Sequence, residues 1–554
     1  MSMEIRMLLA IVLSFVVFFV FQSIFGTPTQ QQQTKPLSQE ATVTPDAAEE
    51  TRMQPLRETP SLVEPDTVER PVPDRTITVE TDLYVAELSE GSGCFTSFSL
   101  KDYKEELGRD AARKELVRLP TQAGCTPVVH FFRQGQAPTP RVPGFQTAFP
   151  ETTLDVSTTE KSLTFIQNAP EGISIQKTYR FNPGTYDIAL EVKVGNHTEG
   201  YVEDKLAVSL KTFRNETDSS RYVFTGPAAL INGELREIDV DDIEEESPYT
   251  GTIQWVASED QYFVSAIVPE NTADGGLHLH LSGTDILTTS FVDPSGPLPP
   301  RTERTLDYTL YFGPKNLDTL KQTSPELARI VDFGFFDIIA KPLLHAMKFI
   351  YRYIPNYGVA IILITLVVKL IFWPLSNRSY KSMSQMKRLQ PKMAEIRAKY
   401  KDDKRMMNQE LMNLYKIYKV NPLGGCLPMV LQIPVFFAFY KMLYQAIELR
   451  HAPFLLWIND LSAPDRLFRF NVDIPLMAPP YGIPVLTIIM GASMFLQQKM
   501  SPPPGDPTQA KMMMFMPVFF TFIFINFPSG LVLYWLVNNI LSMAQQYYIT
   551  KKTA

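Results

Sequence analysis

The chain has 554 residues, with 52 Lys+Arg against 59 Asp+Glu and a formal net charge of −7. That length exceeds one ordinary domain, and the charge is unevenly spread: residues 331–554 hold 24 Lys+Arg and 11 Asp+Glu, while residues 27–330 hold 27 and 47. An acidic half followed by a basic, apolar half excludes a single uniform globule and points to two compartments.

Residues 7–25, MLLAIVLSFVVFFVFQSIF, form the first apolar run. It is long for the apolar region of a cleaved signal peptide, and Phe25 is a poor residue before a cleavage site. Residues 1–26 are therefore expected to be an uncleaved signal-anchor helix. Residues 27–75 are rich in Gln, Thr, Glu and Pro and have no apolar periodicity. They read as a disordered tether.

From 76 to 324 the period becomes two. Ile188, Leu190, Val192 and Val194 alternate with polar residues, as do Leu306, Tyr308, Leu310 and Phe312. Asn182-Pro183-Gly184 and Asn232-Gly233 sit where hairpin turns belong. Many short strands predict an all-β sandwich. Cys94 and Cys125 both fall here. A disulfide in an exported domain and two buried thiols are both open readings. His278 and His280 share a strand face without a third ligand, so no metal is expected, and no Cys/His spacing suggests zinc. The sequons at Asn196 and Asn215 read as chance matches.

Residues 325–357 return to helical spacing, with Leu327, Ile330, Val331, Phe335, Ile338 and Ile339 recurring every three or four positions. Polar residues interrupt the run, which predicts an amphipathic helix on the membrane face. Packing on the sandwich is the competing reading. Residues 358–376, GVAIILITLVVKLIFWPLS, then form a span with Lys369 inside it. A charge near the bilayer centre costs about 2.5–3.5 kcal/mol even on the lenient insertion scale. Thr365 lies one turn earlier on the same face. Snorkelling is the plain alternative, because Lys369 stands only roughly 9 Å from the end of the helix.

Residues 377–422 are basic. Met383, Met386, Leu389, Met393, Ile396 and Tyr400, then Met407, Leu411, Leu414 and Tyr418, predict two amphipathic helices joined at Lys401–Lys404. The Met-rich seam either accommodates varied partners or simply zips the hairpin. The basic faces suit anionic lipid or ribosomal RNA, and equally satisfy the positive-inside rule. Apolar runs at 423–444, 481–497, 512–526 and 531–549 complete residues 423–549, with Pro528 and Gly530 marking a hinge or tight turn between the last two. A short basic tail follows at 550–554. Six spans place both termini and the basic hairpin inside, and the acidic β-domain outside.

Gln432, Asn526, Ser529, Asn538 and Asn539 add polar groups at membrane depth. With Thr365 and Lys369 they are expected to line a wet cavity, which favours a functional lysine. The run at 512–526 rises only roughly 22 Å against about 30 Å of hydrocarbon. Such a short span implies local thinning or burial by neighbours.

The stretches ITLVVKLIFWPLS, MKRLQPKMAEIRAKY, KVNPLGGCLPMVLQIPVFFAFYKML, FLLWINDLSAPD and FMPVFFTFIFINFPSGLVLYWLVNN resemble the YidC-type membrane protein insertases in order and spacing. The anchor and the long β-domain resemble the Gram-negative form. The resemblance implies a multi-domain inner-membrane protein with six transmembrane α-helices, a five-helix insertase core plus the anchor, and a periplasmic β-supersandwich. It implies a chaperone and insertase, not an enzyme, that needs no cofactor. It carries the family's groove charge onto Lys369, where arginine is common, a groove position onto Thr365, and the aromatic pair of the last span onto Tyr534 and Trp535. It implies nascent membrane proteins, the ribosome, the Sec translocon and membrane lipids as partners. The insert RLFRFNVDIPLMAPP at 466–480 makes one outer loop longer than the resemblance leads one to expect.

Two other classes compete. An ion or solute transporter would use Lys369 as a coupling charge, but the five core spans show no internal repeat and no Asp or Glu. A sugar-binding or catalytic β-domain would draw on Trp255, Tyr262 and His280, although strand aromatics are usually core.

Overall fold

Alternating side chains build the first half. In the computed structural model, which describes residues 75–553 apart from 109, 121–123, 133–143, 169–171, 214–222, 241–242, 244–248, 272–273, 284, 419, 421–426 and 502–506, Ile188, Leu190, Val192 and Val194 are all buried. The expected signal anchor, the tether up to residue 74, the Asn215 sequon and Cys426 lie outside the described residues.

Strand Asp187–Asn196 pairs antiparallel with Thr302–Pro314 on one side and Ile173–Phe181 on the other. Leu190 thus stands between Tyr308 and Tyr179 in register. These strands belong to a twelve-stranded sheet that runs from Val128–Phe132 at one edge to Lys161–Asn168 at the other. A five-stranded sheet, including Cys94–Lys104 and Tyr84–Ser89, covers its face. Phe95 and Phe98 of the smaller sheet meet Tyr179 and Phe312 of the larger, with Phe98 and Phe312 stacked at 5.0 Å and Phe95 edge-on to Tyr179 at 5.5 Å. This is sandwich packing, with aromatic rings filling the space between sheets. Asn232 and Gly233 take positive φ values of 54° and 76° in a two-residue hairpin, the conformation that Asn-Gly favours. Cys94 and Cys125 form a disulfide, which settles the pairing left open by the sequence.

The helical half begins at α1, Leu317–Thr323, capped by the Asn316 side chain, which accepts from the amides of Asp318 and Thr319. The amphipathic stretch expected from 325 starts as two short 3-10 turns, Leu327–Ile330 and Gly334–Phe336. Gly334 has φ +62°, a left-handed residue that interrupts a continuous α-helix. The α-helix proper, α2, spans Asp337–Tyr353. It buries Ala340, Leu344 and Met347 at helical spacing and leaves Ile338, Phe349 and Tyr353 exposed.

α3, Tyr357–Lys399, has 43 residues. The boundary expected between a span at 358–376 and a separate hairpin at 377–422 is therefore not a break in the helix. Pro374 and Pro391 are accommodated within it. At 1.5 Å per residue it is about 65 Å long, more than twice a bilayer core, so the span and the first hairpin arm are one rod. α4, Lys404–Ile417, folds back against it. Leu389, Met393, Leu411, Leu414 and Val420 close the seam, so most of the expected methionine and leucine face holds the hairpin together. α5 (Leu427–Gln445), α6 (Val485–Met500), α7 (Pro507–Phe524) and α8 (Ser529–Thr553) follow. Among the described residues, α3 is the one helix long and apolar enough to cross a membrane by length and composition, and α7 holds a shorter apolar stretch, Met513–Phe524.

The segment after α5 joins the two halves. Gln261 donates to the Tyr444 carbonyl at 2.8 Å, Asn316 donates to Glu448 at 3.2 Å, and Arg450 donates to the carbonyls of Lys104 and Glu105. One end of the helical bundle therefore faces the β-domain, and the hairpin extends from the other.

Candidate functional site

α8 packs against α3, α5 and α6. Its residues Tyr534, Asn538 and Ser542 recur every four positions, which sets them on one face. Lys369 of α3 meets that face. Its Nζ donates to Ser542 Oγ at 2.7 Å, and only 8% of the residue is exposed. Ser542 Oγ in turn donates to the Asn538 carbonyl at 2.7 Å. Gln432 of α5 donates to Asn538 Oδ1 at 2.8 Å. The result is a continuous polar seam, Lys369–Ser542–Asn538–Gln432, crossing three helices. Among the described residues no carboxylate pairs with Lys369. An ammonium has three donors, and one is occupied.

Of the other expected site residues, Tyr534 joins the seam through a hydrogen bond with Gln432, and the rest take different places. Thr365 is buried, and its hydroxyl donates to the Ile361 carbonyl at 2.6 Å within its own helix. Tyr534 is buried and stacks on Phe439 with centroids 4.4 Å apart. Trp535 sits edge-on to Phe436 and Phe524 at 4.7 and 4.8 Å, in an aromatic cluster rather than on the polar seam. Asn526, expected in the cavity, lies instead in the loop at the β-domain end, where it donates to the Leu476 carbonyl at 2.8 Å. Asn539 faces away from Lys369 and donates to Ser493 of α6. A helix face spans about 100°, so polar neighbours in sequence are divided between different partners.

Pro528 and Gly530 form the turn between α7 and α8, and it is tied down. The Ser529 amide donates to Ala463 O at 2.8 Å, the Gly530 amide to Leu461 O at 2.9 Å, and the Ser529 hydroxyl to Asp460 O at 2.7 Å. A Cβ on Gly530 would stand 3.1 Å from Leu461 O, so glycine permits the close approach. Leu461 is fully buried. Segment 460–465 thus caps the β-domain end of the bundle over α8.

Sequence reasoning missed Ser542 and Tyr380, which also hydrogen-bonds Ser542. Ser542 was findable, since it continues the four-residue spacing from Asn538. Tyr380 was not, because it lay beyond the expected end of the span. The sugar-site residues do not converge. Trp255 is fully buried and donates to Glu326 O at 2.9 Å, while Tyr262 faces Gln261. No group of three or more potential metal ligands occurs among the described residues.

The profile of the YidC periplasmic domain matches residues 76–346, and that of the 60Kd inner membrane protein family matches 349–554. A membrane protein insertase YidC of Syntrophus aciditrophicus is 41% identical over 561 residues, covering 99% of this chain and 100% of its own. The chain belongs to the YidC family of membrane protein insertases. A YidC relative from Pelobacter propionicus is 40% identical, with 99% of each chain covered. A solved active YidC insertase with its first transmembrane domain resolved is 18% identical, with 86% of this chain and 95% of that one covered and a TM-score of 0.37. The YidC family is one of insertases and not of enzymes, and its two matched parts are an inner membrane protein and a periplasmic domain.

Proposed function

We propose that this chain inserts nascent membrane proteins into the inner membrane along the seam formed by α3, α5 and α8, with Lys369 as the transient partner of acidic or polar residues in the substrate's outgoing segment. The observation that carries the reading is the partly used ammonium: Lys369 is buried, held by one neutral hydroxyl, and paired with no carboxylate among the described residues. A substrate carboxylate entering hydrocarbon alone costs about 2.5–3.5 kcal/mol or more. A fixed positive charge beside hydroxyl and amide groups offsets that cost at the depth where it is largest.

The charges place the basic hairpin inside, where it meets the ribosome and anionic lipid, and place the β-domain in the periplasm. α3, α5, α6, α7 and α8 are the five core spans and the N-terminal run is the sixth, with both termini cytoplasmic. The cap at 460–465 closes the periplasmic end, so substrate enters from the cytoplasm and leaves sideways into lipid. The apolar stretch of α7, Met513–Phe524, rises roughly 18 Å, which shortens the apolar crossing. Insertion proceeds alone or beside the Sec translocon, driven by hydrophobic transfer of the substrate and the membrane potential.

The test is insertion of a small, singly spanning client into proteoliposomes containing the wild type, Lys369→Ala or Lys369→Glu. Loss of client protection with both variants, at unchanged reconstitution, supports the reading. Full insertion by both reduces Lys369 to a snorkelling residue and leaves membrane thinning as the mechanism.

A further inference from the structure

Between α5 and α6 the chain runs through a long loop at the β-domain end of the bundle. Five of its apolar side chains point away from the protein. Leu455, Leu456, Phe468, Val472 and Leu476 are 58%, 86%, 73%, 62% and 78% exposed. Leu456, Phe468 and Leu476 also hold positive φ values of 58°, 51° and 70°. A left-handed backbone costs roughly 1–2 kcal/mol for a residue with a Cβ. Such conformations persist only where surrounding structure over-determines them.

The surrounding structure does so. The Leu467 and Ile483 amides donate to each other's carbonyls at 2.9 and 2.7 Å, closing the loop at its base. Arg466 donates to the carbonyls of Pro480, Ile525 and Ala478 at 2.9, 2.7 and 3.4 Å. Asn526 donates to the Leu476 carbonyl and accepts from the Ala478 amide, both at 2.8 Å. One guanidinium and one amide therefore satisfy main-chain groups that water would otherwise satisfy. An irregular segment at a membrane requires that internal satisfaction, and a loop in bulk water does not.

We infer that residues 466–480, together with Leu455 and Leu456, form a wedge seated in the headgroup–acyl boundary of the outer leaflet. The inference rests on the span assignment proposed above. Its occupant is lipid because the exposed face continues the apolar surface of the adjoining helices: Ile483 leads into Ile488 of α6, and Phe522 lies in the last turn of α7, at 41%, 51% and 57% exposure. Arg469, Asn471 and Asp473 are also exposed and alternate with the apolar residues. That alternation keeps the tip among headgroups and limits its depth to about 5–10 Å. Arg466 and Asn526 tie the wedge to the end of α7, so seating it draws the end of that short span below the headgroup level. An exposed apolar patch on a rigid loop is otherwise an aggregation liability.

The experiment uses the full chain with Cys426→Ser, carrying an environment-sensitive NBD label at Phe468→Cys or Leu476→Cys, and at Glu199→Cys on the β-domain as reference, in proteoliposomes. The expected result is blue-shifted emission at 468 and 476, quenching by phosphatidylcholine spin-labelled near the headgroup, and protection from iodide, with the opposite behaviour at 199. Iodide access at 468 and 476 equal to that at 199 places the loop in water and overturns the wedge. Protection from both quenchers places the loop against protein and also overturns it. Client insertion measured on the same vesicles keeps the two readings apart. Insertion with iodide-accessible labels sinks the wedge alone, and lipid-quenched labels without insertion sink the insertase mechanism alone.

Discussion

Two lysines are buried among the described residues, one in each half of the molecule, and they are held differently. Lys177 lies in the β-domain between Phe165 and Val192 in register, with 1% of the residue exposed. Its Nζ donates to the carbonyls of Ser92 and Gly93, both at 3.1 Å, and sits 4.3 Å from the centre of the Phe145 ring. All three donor directions are engaged, two by main chain and one by an aromatic face. Burial pushes its pKa down to about 7. Lys369 has one hydroxyl partner and is less deeply buried. Both lysines are buried, so burial alone does not separate a structural charge from the working one proposed at Lys369. The distinguishing quantity is how many donors the fold leaves for a ligand.

The largest expected effect is charge reversal at the proposed groove lysine. Lys369→Glu should reduce client insertion by on the order of tenfold or more, the factor corresponding to about 1.4 kcal/mol, while Lys177→Met leaves insertion unchanged. Protease protection of a radiolabelled client reads both. Equal loss from the two variants would break the comparison.

Arginine provides the next test. Lys369→Arg keeps the charge and should retain insertion. Lys177→Arg must fit a larger guanidinium into a filled core, which typically costs about 1–3 kcal/mol. Denaturant unfolding of the β-domain in the full chain should show that loss at 177 and none at 369.

The third prediction concerns pH. The folded pKa of Lys177, about 7, lies below its ordinary 10.5. The unfolded state therefore binds more protons between those values, and stability should rise with pH across the window. The slope is up to about 1.4 kcal/mol per pH unit. Lys177→Met should flatten it. An unchanged slope would show that Lys177 is not the titrating group.

The smallest effect is expected at Ser542→Ala. Losing one hydrogen bond to a charged group is worth about 1.5–3 kcal/mol when fully realised, but the charge itself stays, so a loss of a few-fold in insertion is expected. Ser542→Thr should restore it if the hydroxyl positions the ammonium. Failure of Thr to rescue would assign the effect to packing.

Much of this site could be read in one dimension because helical and strand periods carry it. Lys369 stood out as a charge in an apolar run, and Gln432 and Asn538 as amides at membrane depth. Val192 and its alternating neighbours announced a sandwich. Asn526 and Asn539 were read into the same cavity because depth along the chain was known and azimuth across packed helices was not. The span read as ending at 376 because the chain turns polar and basic from 377, yet α3 continues to Lys399 with α4 packed along its far part.

The sequence by itself determined the family, the two compartments, the order of apolar runs and the candidacy of Lys369, because composition, charge and period are local quantities. The tertiary structure decided what each polar group touches. It joined Cys94 to Cys125 and engaged every donor of Lys177 while leaving Lys369 with one partner among the described residues. It set segment 460–465 over the end of α8 and turned Phe468 and Leu476 outward. Those outcomes depend on residues tens to hundreds of positions apart meeting in space, and no local pattern encodes such distances.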